Sequence, residues 1–386
     1  MLLAAARVLA LPAAPASLQE QQPQIRASVD VVRLTVAVEH TAGGAIPPLS
    51  VEDFEVLDNG VRQDVRLLLR PEETPLRVAL VIDASPSLRP WWLTVQRAAV
   101  SFLAKMDDSG CPYVLPFSNG IGPGRWGRYP ANDWREFLAD APRGGGTVLH
   151  DALVIALDQL ESADAMAIEA SQPLREGDSP ELDSAHAPTS PADEPDEPEE
   201  SPTDPATLTR TGLLASLRRL VAEIVRETPV THIGNCDLRY LPEPTAADGG
   251  LQLPADESVK AVLLLSDGAD TDSVATVTDV INAARLANVP VFPVLLGSAS
   301  QDRALAALLA EIARATGGLV TDEVAIDELP AAYDRVLGYL RSSYVLVYDP
   351  DAATAEAEAP GSSWHEVQVS LRRPLLRAIA RAGYYR

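Results

Sequence analysis

The chain is poor in the residue types from which zinc and redox sites are built. It has two cysteines, Cys111 and Cys236, and five histidines among 386 residues. Two cysteines so far apart form neither a zinc cluster nor a redox motif. The histidines lack metal-ligand spacing, so zinc hydrolysis has no support. The cysteines are therefore either a pair that joins in an oxidising compartment or two unrelated thiols.

Basic residues and long apolar runs are also scarce. The chain has 31 Lys and Arg against 55 Asp and Glu, a net charge of −24. Phosphate binding needs a basic face, so nucleic acid is not the expected partner. No run approaches the roughly 18 apolar residues of a transmembrane span. Hydrophobic residues still make up 46% of the chain, which allows a sizeable core.

The N-terminal segment has the amino-acid composition of a secretory signal. Leu2–Ala16 is rich in Ala and Leu, and the polar stretch Gln19–Gln24 follows. This pattern predicts a signal peptide and linker over residues 1–24, with cleavage after Ala16 and export to the periplasm or the outside of the cell. The basic residues that usually precede such a run are missing. A start further upstream and an uncleaved end are the alternatives.

Acidic residues are concentrated in one segment. Residues 161–205 hold fourteen acids and a single base, Arg175. Residues 171–207 are rich in Pro, Ser, Asp and Glu with few large apolar side chains, so we predict a disordered acidic insertion. It is either a flexible spacer, the favoured reading, or a shield that repels acidic partners. The amphipathic pattern of Leu213–Ile224 then predicts a helix.

The two ends of the chain read as β segments, over residues 25–75 and 342–386. Asn59-Gly60 is a strong hairpin signal between two of the strand patterns. No helical pattern separates the last strands, so we expect both ends to combine in one small β-sandwich. The strand patterns are Val29–Val38, Phe54–Leu57, Val61–Leu69, Tyr344–Tyr348, His365–Leu371 and the run Leu375–Tyr385.

Strands and helices alternate over residues 76–341. Val78–Ile82 is continuously apolar, which is typical of a strand buried on both faces. Repeated β-α units of this kind predict an α/β fold with a doubly wound, mostly parallel, Rossmann-like sheet. The further predicted strands are Tyr113–Phe117, Ala261–Leu265, Val289–Leu296 and Leu319–Thr321, and the predicted helices are Pro90–Met106, Asp133–Leu138, one from His150, Val274–Ala287, Arg303–Thr316 and Ile326–Leu340.

Polar residues follow three strands of this predicted sheet. Asp83, Ser85 and Ser87 come after the first strand, Thr147 follows three glycines before the helix at His150, and Asp267 comes after a later strand. Ligands of open parallel sheets bind at the carboxyl ends of the strands. We therefore expect all three loops at one edge of one sheet.

The order and spacing of these residues resemble the von Willebrand factor A domain and its metal-ion-dependent adhesion site (MIDAS). The match consists of Asp83, Ser85, Ser87, Thr147 and Asp267, and the resemblance covers residues 76–341 apart from the insertion. The flanks resemble a bacterial subfamily of exported proteins with this domain, at Val51–Gly60, Trp364–Val369 and Arg381–Tyr385. The resemblance implies binding of Mg²⁺, Mn²⁺ or Ca²⁺ and capture of a carboxylate of a protein or peptide partner.

The residue types suit that chemistry. Every candidate ligand is an oxygen, which hard cations such as Mg²⁺ prefer. The three hydroxyls carry no charge, and only Asp83 and Asp267 are carboxylates. A cation held in this way keeps its electrophilic character, which a carboxylate from a partner can use.

Simpler interpretations exist for each motif. Asp83 and the serines could cap the helix near Pro90, Thr147 could cap the helix at His150, and Asp267-Gly268 could be an ordinary turn. His150 fits a helix start better than a ligand position. Trp91 and Trp92 are either an apolar rim beside the metal or core residues, and Trp126 has the same ambiguity.

An enzyme is not expected. A phosphotransferase would have a second Asp where Ser85 stands, and a serine hydrolase would have glycines beside Ser85 rather than Ala84 and Pro86. A phosphate loop would have Lys after Gly146, where Thr147 stands. A divalent-metal-dependent adhesion protein is the favoured function. An envelope scaffold with an unused metal loop is the alternative, and a hydrolase is the less favoured one.

Overall fold

The computed structural model describes eight stretches of the chain. The predicted signal peptide, the acidic insertion beyond Ser171, and Cys236 lie outside them. The described residues are 31–71, 74–106, 110–171, 210–225, 258–267, 270–296, 303–350 and 364–385.

The centre of the fold is a six-stranded sheet in the order β10-β9-β8-β5-β6-β7. All neighbours are parallel except the edge strand β7, which pairs antiparallel with β6. Every residue of β5 and β6 is buried, as predicted for the apolar run Val78–Ile82 within β5 and for Tyr113–Phe117 within β6. The strands are β5 (Leu76–Asp83), β6 (Cys111–Phe117), β7 (Arg125–Trp126), β8 (Val259–Ser266), β9 (Val291–Leu296) and β10 (Thr321–Val324).

Helices cover both faces of this sheet. Successive side chains of β5 alternate between two hydrophobic clusters, because a strand points its side chains to opposite faces. Ala79 and Val81 pack with α3, α4, α5 and α6, whereas Leu80 and Ile82 pack with α1, α2 and α7. The helices are α1 (Trp92–Lys105), α2 (Ala131–Ala139), α3 (Leu149–Ser171), α4 (Arg210–Val225), α5 (Val277–Ala287), α6 (Arg303–Thr316) and α7 (Leu329–Arg341).

The strand order reverses beside β5. The chain runs from β5 to β6 on one side, then returns to the other side of β5 to form β8, β9 and β10. Such a reversal opens a crevice at the carboxyl ends of the two strands, where ligands of open α/β sheets bind. The crevice therefore lies between Asp83, the last residue of β5, and Ser266, the last residue of β8.

The ends of the chain form two further four-stranded sheets, in the orders β13-β1-β11-β4 and β14-β12-β2-β3. Each sheet takes strands from both ends, and all of its pairs are antiparallel. Side chains of both sheets join in one hydrophobic cluster. The strands are β1 (Val32–His40), β2 (Phe54–Asp58), β3 (Val61–Gln63), β4 (Val65–Leu69), β11 (Ser343–Tyr348), β12 (Trp364–Leu371), β13 (Leu376–Ala380) and β14 (Gly383–Tyr385).

The hairpin signal is confirmed. Asn59 and Gly60 have φ angles of 48° and 77°, and Asp58 pairs with Val61 across them. Left-handed conformations at both central residues are what a two-residue hairpin of this type needs.

Two predicted strands are each divided between sheets. The pattern Val61–Leu69 contains β3 in one sheet and β4 in the other, with Asp64 between them. The run Leu375–Tyr385 contains β13 and β14, which also belong to different sheets. No Gly, Pro or Asn turn signal stands at Asp64, so the pattern did not reveal the change of partner there.

Several predicted element starts were wrong by a few residues. Helix α5 begins at Val277, not Val274, because Thr276 and Asp279 form a capping box at its start. Pro90 lies in a 3-10 turn, Pro86–Trp91, ahead of α1. Helix α7 begins at Leu329 rather than Ile326, and β10 lies at Thr321–Val324 rather than Leu319–Thr321.

Candidate metal site

Asp83 lies at the bottom of the crevice and is completely buried. Its Oδ2 accepts a hydrogen bond of 2.6 Å from the Ser266 hydroxyl, and its Oδ1 accepts one of 2.8 Å from the backbone N–H of Ser85. Burial raises the pKa of Asp83, hydrogen bonds from Ser266 and Ser85 oppose this shift, and the Asp267 carboxylate adds to it. The carboxylate is thus fixed between the ends of β5 and β8, in surroundings that disfavour its charge.

The two serines of the first loop connect Asp83 to the third loop. Ser85 is buried and Ser87 is exposed, and their hydroxyl oxygens are 3.0 Å apart. The Ser87 hydroxyl donates a hydrogen bond of 2.7 Å to Oδ1 of Asp267. Burial also raises the pKa of Asp267, against its hydrogen bond from Ser87. Four of the five predicted residues therefore meet at one edge of the sheet.

Thr147, the fifth residue, is bonded to the third loop through its backbone, four residues beyond Asp267. It is buried, and its N–H donates 2.8 Å to the Thr271 hydroxyl, while Thr271 N–H donates 2.9 Å to the Thr147 carbonyl. Within the described stretches, no hydrogen bond joins the Thr147 hydroxyl to the other four residues. The second loop is therefore held against the third by the backbone of Thr147 and by both the backbone and the hydroxyl of Thr271.

Two of the three glycines before Thr147 lie in close contact with polar side chains of neighbouring loops. A Cβ at Gly144 would collide with the side chain of Asn119, and a Cβ at Gly146 with that of Asp272. A Cβ at Gly145 would meet nothing. Ser118 donates to the carbonyls of Gly144 and Gly146, at 3.3 and 3.4 Å. The first and third glycines thus lie against neighbouring side chains, and only the third contacts the third loop, through Asp272.

The capping interpretations fail in the structure. Ser85 is the residue before the 3-10 turn, yet no side-chain hydrogen bond caps that turn or the start of α1. Helix α3 begins at Leu149, two residues after Thr147. The polar side chains of the first loop bond to each other and to the neighbouring strand. The turn interpretation of Asp267-Gly268 stays open, because Gly268 lies outside the described residues.

A second layer of residues that the sequence did not reveal ties the second and third loops together. Oδ1 and Oδ2 of Asp151 accept hydrogen bonds from the N–H groups of Ala275 and Val274, at 2.7 and 3.1 Å. The N–H of Asp151 donates 3.1 Å to the Ser273 hydroxyl. The Asp and Ser residues after Asp267 were the available signal, because such side chains commonly bond to nearby backbone.

His150 belongs to the same layer. Its N–H donates 3.2 Å to Oδ1 of Asp270, and its Nδ1 lies 3.4 Å from Oδ2 of that carboxylate. It is the second residue of α3, so its predicted place at a helix start is confirmed.

The tryptophans divide between surface and core. Trp91 is 50% exposed, while Trp92 packs against the core beneath α1. Trp126 is buried, and its ring centroid lies 5.0 Å from that of Tyr113. Of these three tryptophans, Trp91 is the most exposed and Trp92 is half-buried.

The donor set at this edge consists of hydroxyl and carboxylate oxygens. Across the described stretches, no group of three or more His, Cys, Asp or Glu side chains has the arrangement of a metal site. Any cation at the candidate site would depend on the serine and threonine hydroxyls as well as on Asp83 and Asp267. An oxygen set of this kind fits a hard divalent cation and not a soft one.

Comparison with known proteins gives matches among solved structures only. No family model matches the chain, and no curated protein matches it. A von Willebrand factor type A protein from Catenulispora acidiphila is 12% identical, over 86% of this chain and 62% of that one, with a TM-score of 0.37. Proximal thread matrix protein 1 from the mussel byssus, described with a zinc-occupied MIDAS motif, is 14% identical, over 69% of this chain and 48% of that one, with a TM-score of 0.31.

The von Willebrand factor domain of the type V pili tip protein Mfa5 from Porphyromonas gingivalis is also similar. It is 13% identical, over 69% of this chain and 97% of that domain, with a TM-score of 0.33. The chain thus resembles proteins with von Willebrand factor A domains, and it spans less than two thirds of the length of the Catenulispora and mussel proteins. No helix in the described stretches has the length and apolar character needed to cross a bilayer.

Proposed function

We propose that this chain is a binding protein that holds a divalent cation, Mg²⁺ or one of similar size, and uses it to capture a carboxylate of a protein or peptide partner. The observation that carries the proposal is the hydrogen-bonded series Ser85, Ser87 and Asp267, above the buried Asp83, at the point where the strand order reverses. Thr147 completes the proposed ligand set.

The chain's own residues hold the proposed ligands in place before any cation binds. Ser266 and the backbone of Ser85 fix both oxygens of Asp83. A bound cation would keep most of its positive charge, because the hydroxyl ligands are neutral. It could therefore attract a carboxylate from a partner. Mg²⁺ suits such a shallow site, because it keeps several waters and needs few protein ligands.

A pull-down from an envelope extract tests this function. The wild-type chain is expected to retain a partner in Mg²⁺ and release it in EDTA, whereas Asp83→Ala retains none. Retention that is the same in EDTA, or the same for Asp83→Ala, would count against metal-mediated capture.

We further propose that the protein is exported and acts by binding and not by catalysis. Cys111, at the start of β6, is disulfide-bonded, and disulfides persist mainly in oxidising compartments. The chain's other cysteine, Cys236, lies outside the described residues. The Ala/Leu-rich stretch Leu2–Ala16 supports the same proposal.

The two terminal sheets are proposed to form the small β-sandwich expected from the sequence. Leu34 of β1 and Leu346 of β11 share a hydrophobic cluster with Val56 of β2 and Val367 of β12, which belong to the other sheet. Sheets that pack face to face share a core in this way.

Asp151 is expected to matter for metal affinity although it is not a proposed ligand. Asp151→Asn leaves a single carbonyl oxygen to accept from Val274 and Ala275, so the third loop loses part of its anchor. Loss of an outer-shell partner typically weakens metal affinity by about 10–100-fold. The Mg²⁺ concentration that gives half of the maximal thermal stabilisation should rise accordingly.

Asp279→Asn is the matched control. It weakens the capping box of α5, close in sequence to the same loop, but touches none of the three metal loops. Melting in EDTA reports the stability cost of each variant. If both variants reached half of their maximal thermal stabilisation at the wild-type Mg²⁺ concentration, Asp151 would have only a structural role.

A further inference from the structure

Two exposed arginines, Arg89 and Arg143, lie at the loops of the candidate metal site, although the chain as a whole is strongly acidic. Arg89, in the 3-10 turn after the first loop, donates a hydrogen bond of 2.9 Å to the carbonyl of Arg143, just before the second loop. Arg89 therefore bridges two of the three loops and places its charge beside the site.

Arg89 and Arg143 form no ion pair with a carboxylate in the described part of the chain. The guanidinium of Arg89 bonds to a carbonyl, and that of Arg143 donates 2.9 Å to the carbonyl of Ala139. Both side chains are exposed, so their charges are available to a partner.

Two exposed apolar side chains follow Arg89 closely in the sequence. Trp91 is 50% exposed and Leu93 is 73% exposed. A 3-10 turn rises about 2 Å per residue, so Trp91 lies only about 8 Å along the turn from Ser87. The first-loop face consists of Ser87, Arg89, Trp91, Leu93 and Arg143.

We propose that the first-loop face binds an acidic protein segment that carries a second acid and a large apolar side chain next to the carboxylate that reaches the metal. This inference rests on the proposed function. The arginines complement the second acid, and charge complementarity directs partner choice. Trp91 and Leu93 give the apolar side chain a surface to cover, and aromatic residues often dominate binding energy in interfaces.

A library of random dodecapeptides displayed on phage is the probe. The full chain is incubated with the library in Mg²⁺, and bound phage are eluted with EDTA. We expect the eluted peptides to be enriched in pairs of acids close to an aromatic residue or leucine. One enriched peptide is then synthesised with a fluorescent label, and its affinity for variants is measured by anisotropy.

Arg89→Gln is expected to weaken the peptide about threefold, the size of an exposed ion pair. Trp91→Ser should weaken it about tenfold, as for the loss of an interface anchor. Leu93→Ser removes the second exposed apolar side chain. Because Leu93 is largely exposed, this substitution should not affect folding. Arg314→Gln removes the same charge from the last turn of α6, at the opposite edge of the sheet, and should change nothing.

The outcomes separate this inference from the function on which it rests. Peptides that need Mg²⁺ and Asp83 but bind the Arg89, Trp91 and Leu93 variants as tightly as the wild type would overturn the inference and leave the function standing. A selection that yields no EDTA-released peptides, or the same ones on Asp83→Ala, would overturn both.

Discussion

Asp58→Ala is expected to lower the free energy of unfolding by about 3–5 kcal/mol, because it removes one partner from a buried charged network. Asp58 and His365 are completely buried. Oδ2 of Asp58 accepts hydrogen bonds of 2.7 Å from the hydroxyls of Tyr348 and Tyr384, and its Oδ1 lies 2.9 Å from Nδ1 of His365. The substitution leaves all three groups without this acceptor.

The network joins both ends of the chain, which explains the size of the expected effect. Asp58 ends β2 near the N-terminus, while His365 and Tyr384 are paired neighbours on β12 and β14. Their rings stack with centroids 4.7 Å apart. Tyr348 lies on β11, in the other terminal sheet, so one carboxylate connects the two sheets.

Chemical denaturation measures the effect, with Glu39→Gln as the control. Glu39 and Arg377 also connect the two ends of the chain, at 2.7 Å, but both side chains are about half exposed. An exposed pair contributes roughly 0–1 kcal/mol. A loss for Asp58→Ala as small as that for Glu39→Gln would show that the network does not hold the ends together.

Asp267→Asn is expected to abolish stabilisation by Mg²⁺ without lowering stability in its absence. The amide oxygen can still accept from Ser87, and the Asp267 charge that opposes ionisation of the buried Asp83 is removed. In EDTA the variant should therefore melt at the wild-type temperature or above it. A ligand at 100 times its dissociation constant stabilises the native state by about 2.7 kcal/mol, and the variant should lose this gain.

Thermal melting in EDTA and in a series of Mg²⁺ concentrations tests this pair of effects. Asp279→Asn, which removes a carboxylate bonded to Thr276 at the start of α5 and not to any proposed ligand, should keep the full Mg²⁺ stabilisation. A variant that melts early in EDTA would indicate a structural role for Asp267. A variant that still gains from Mg²⁺ would remove Asp267 from the ligand set.

The central sheet and the placement of the three loops could be predicted from the sequence. Val78–Ile82 is a continuous apolar run typical of a strand covered on both faces, and a polar residue at the carboxyl end of such a strand is expected at the ligand-binding edge. The association of Asp83, Ser85, Ser87 and Asp267 at that edge followed from topology alone. The binding of a metal there stays a prediction.

The connections between loops could not be predicted, because they join residues far apart in the sequence. Asp151 reads as an ordinary residue of an amphipathic helix until Ala275 is placed beside it. Asp58 likewise reads as part of a hairpin turn, and His365 as a strand residue. The flanking motifs were visible in the sequence, but their shared buried network depends on the pairing of the two chain ends.

Paramagnetic broadening by Mn²⁺ tests the metal site most directly, because it locates the ion. Calorimetry alone is less suitable, since the acids of residues 161–205 also attract cations. At a Mn²⁺ concentration just high enough to fill the site, the amide NMR signals of Ser87, Thr147 and Asp267 should broaden. The signal of Leu34, in a terminal sheet, should not. Saturable broadening at the three loops is the predicted result. Broadening confined to residues 161–205, or undiminished at the loops in Asp83→Ala, would contradict it.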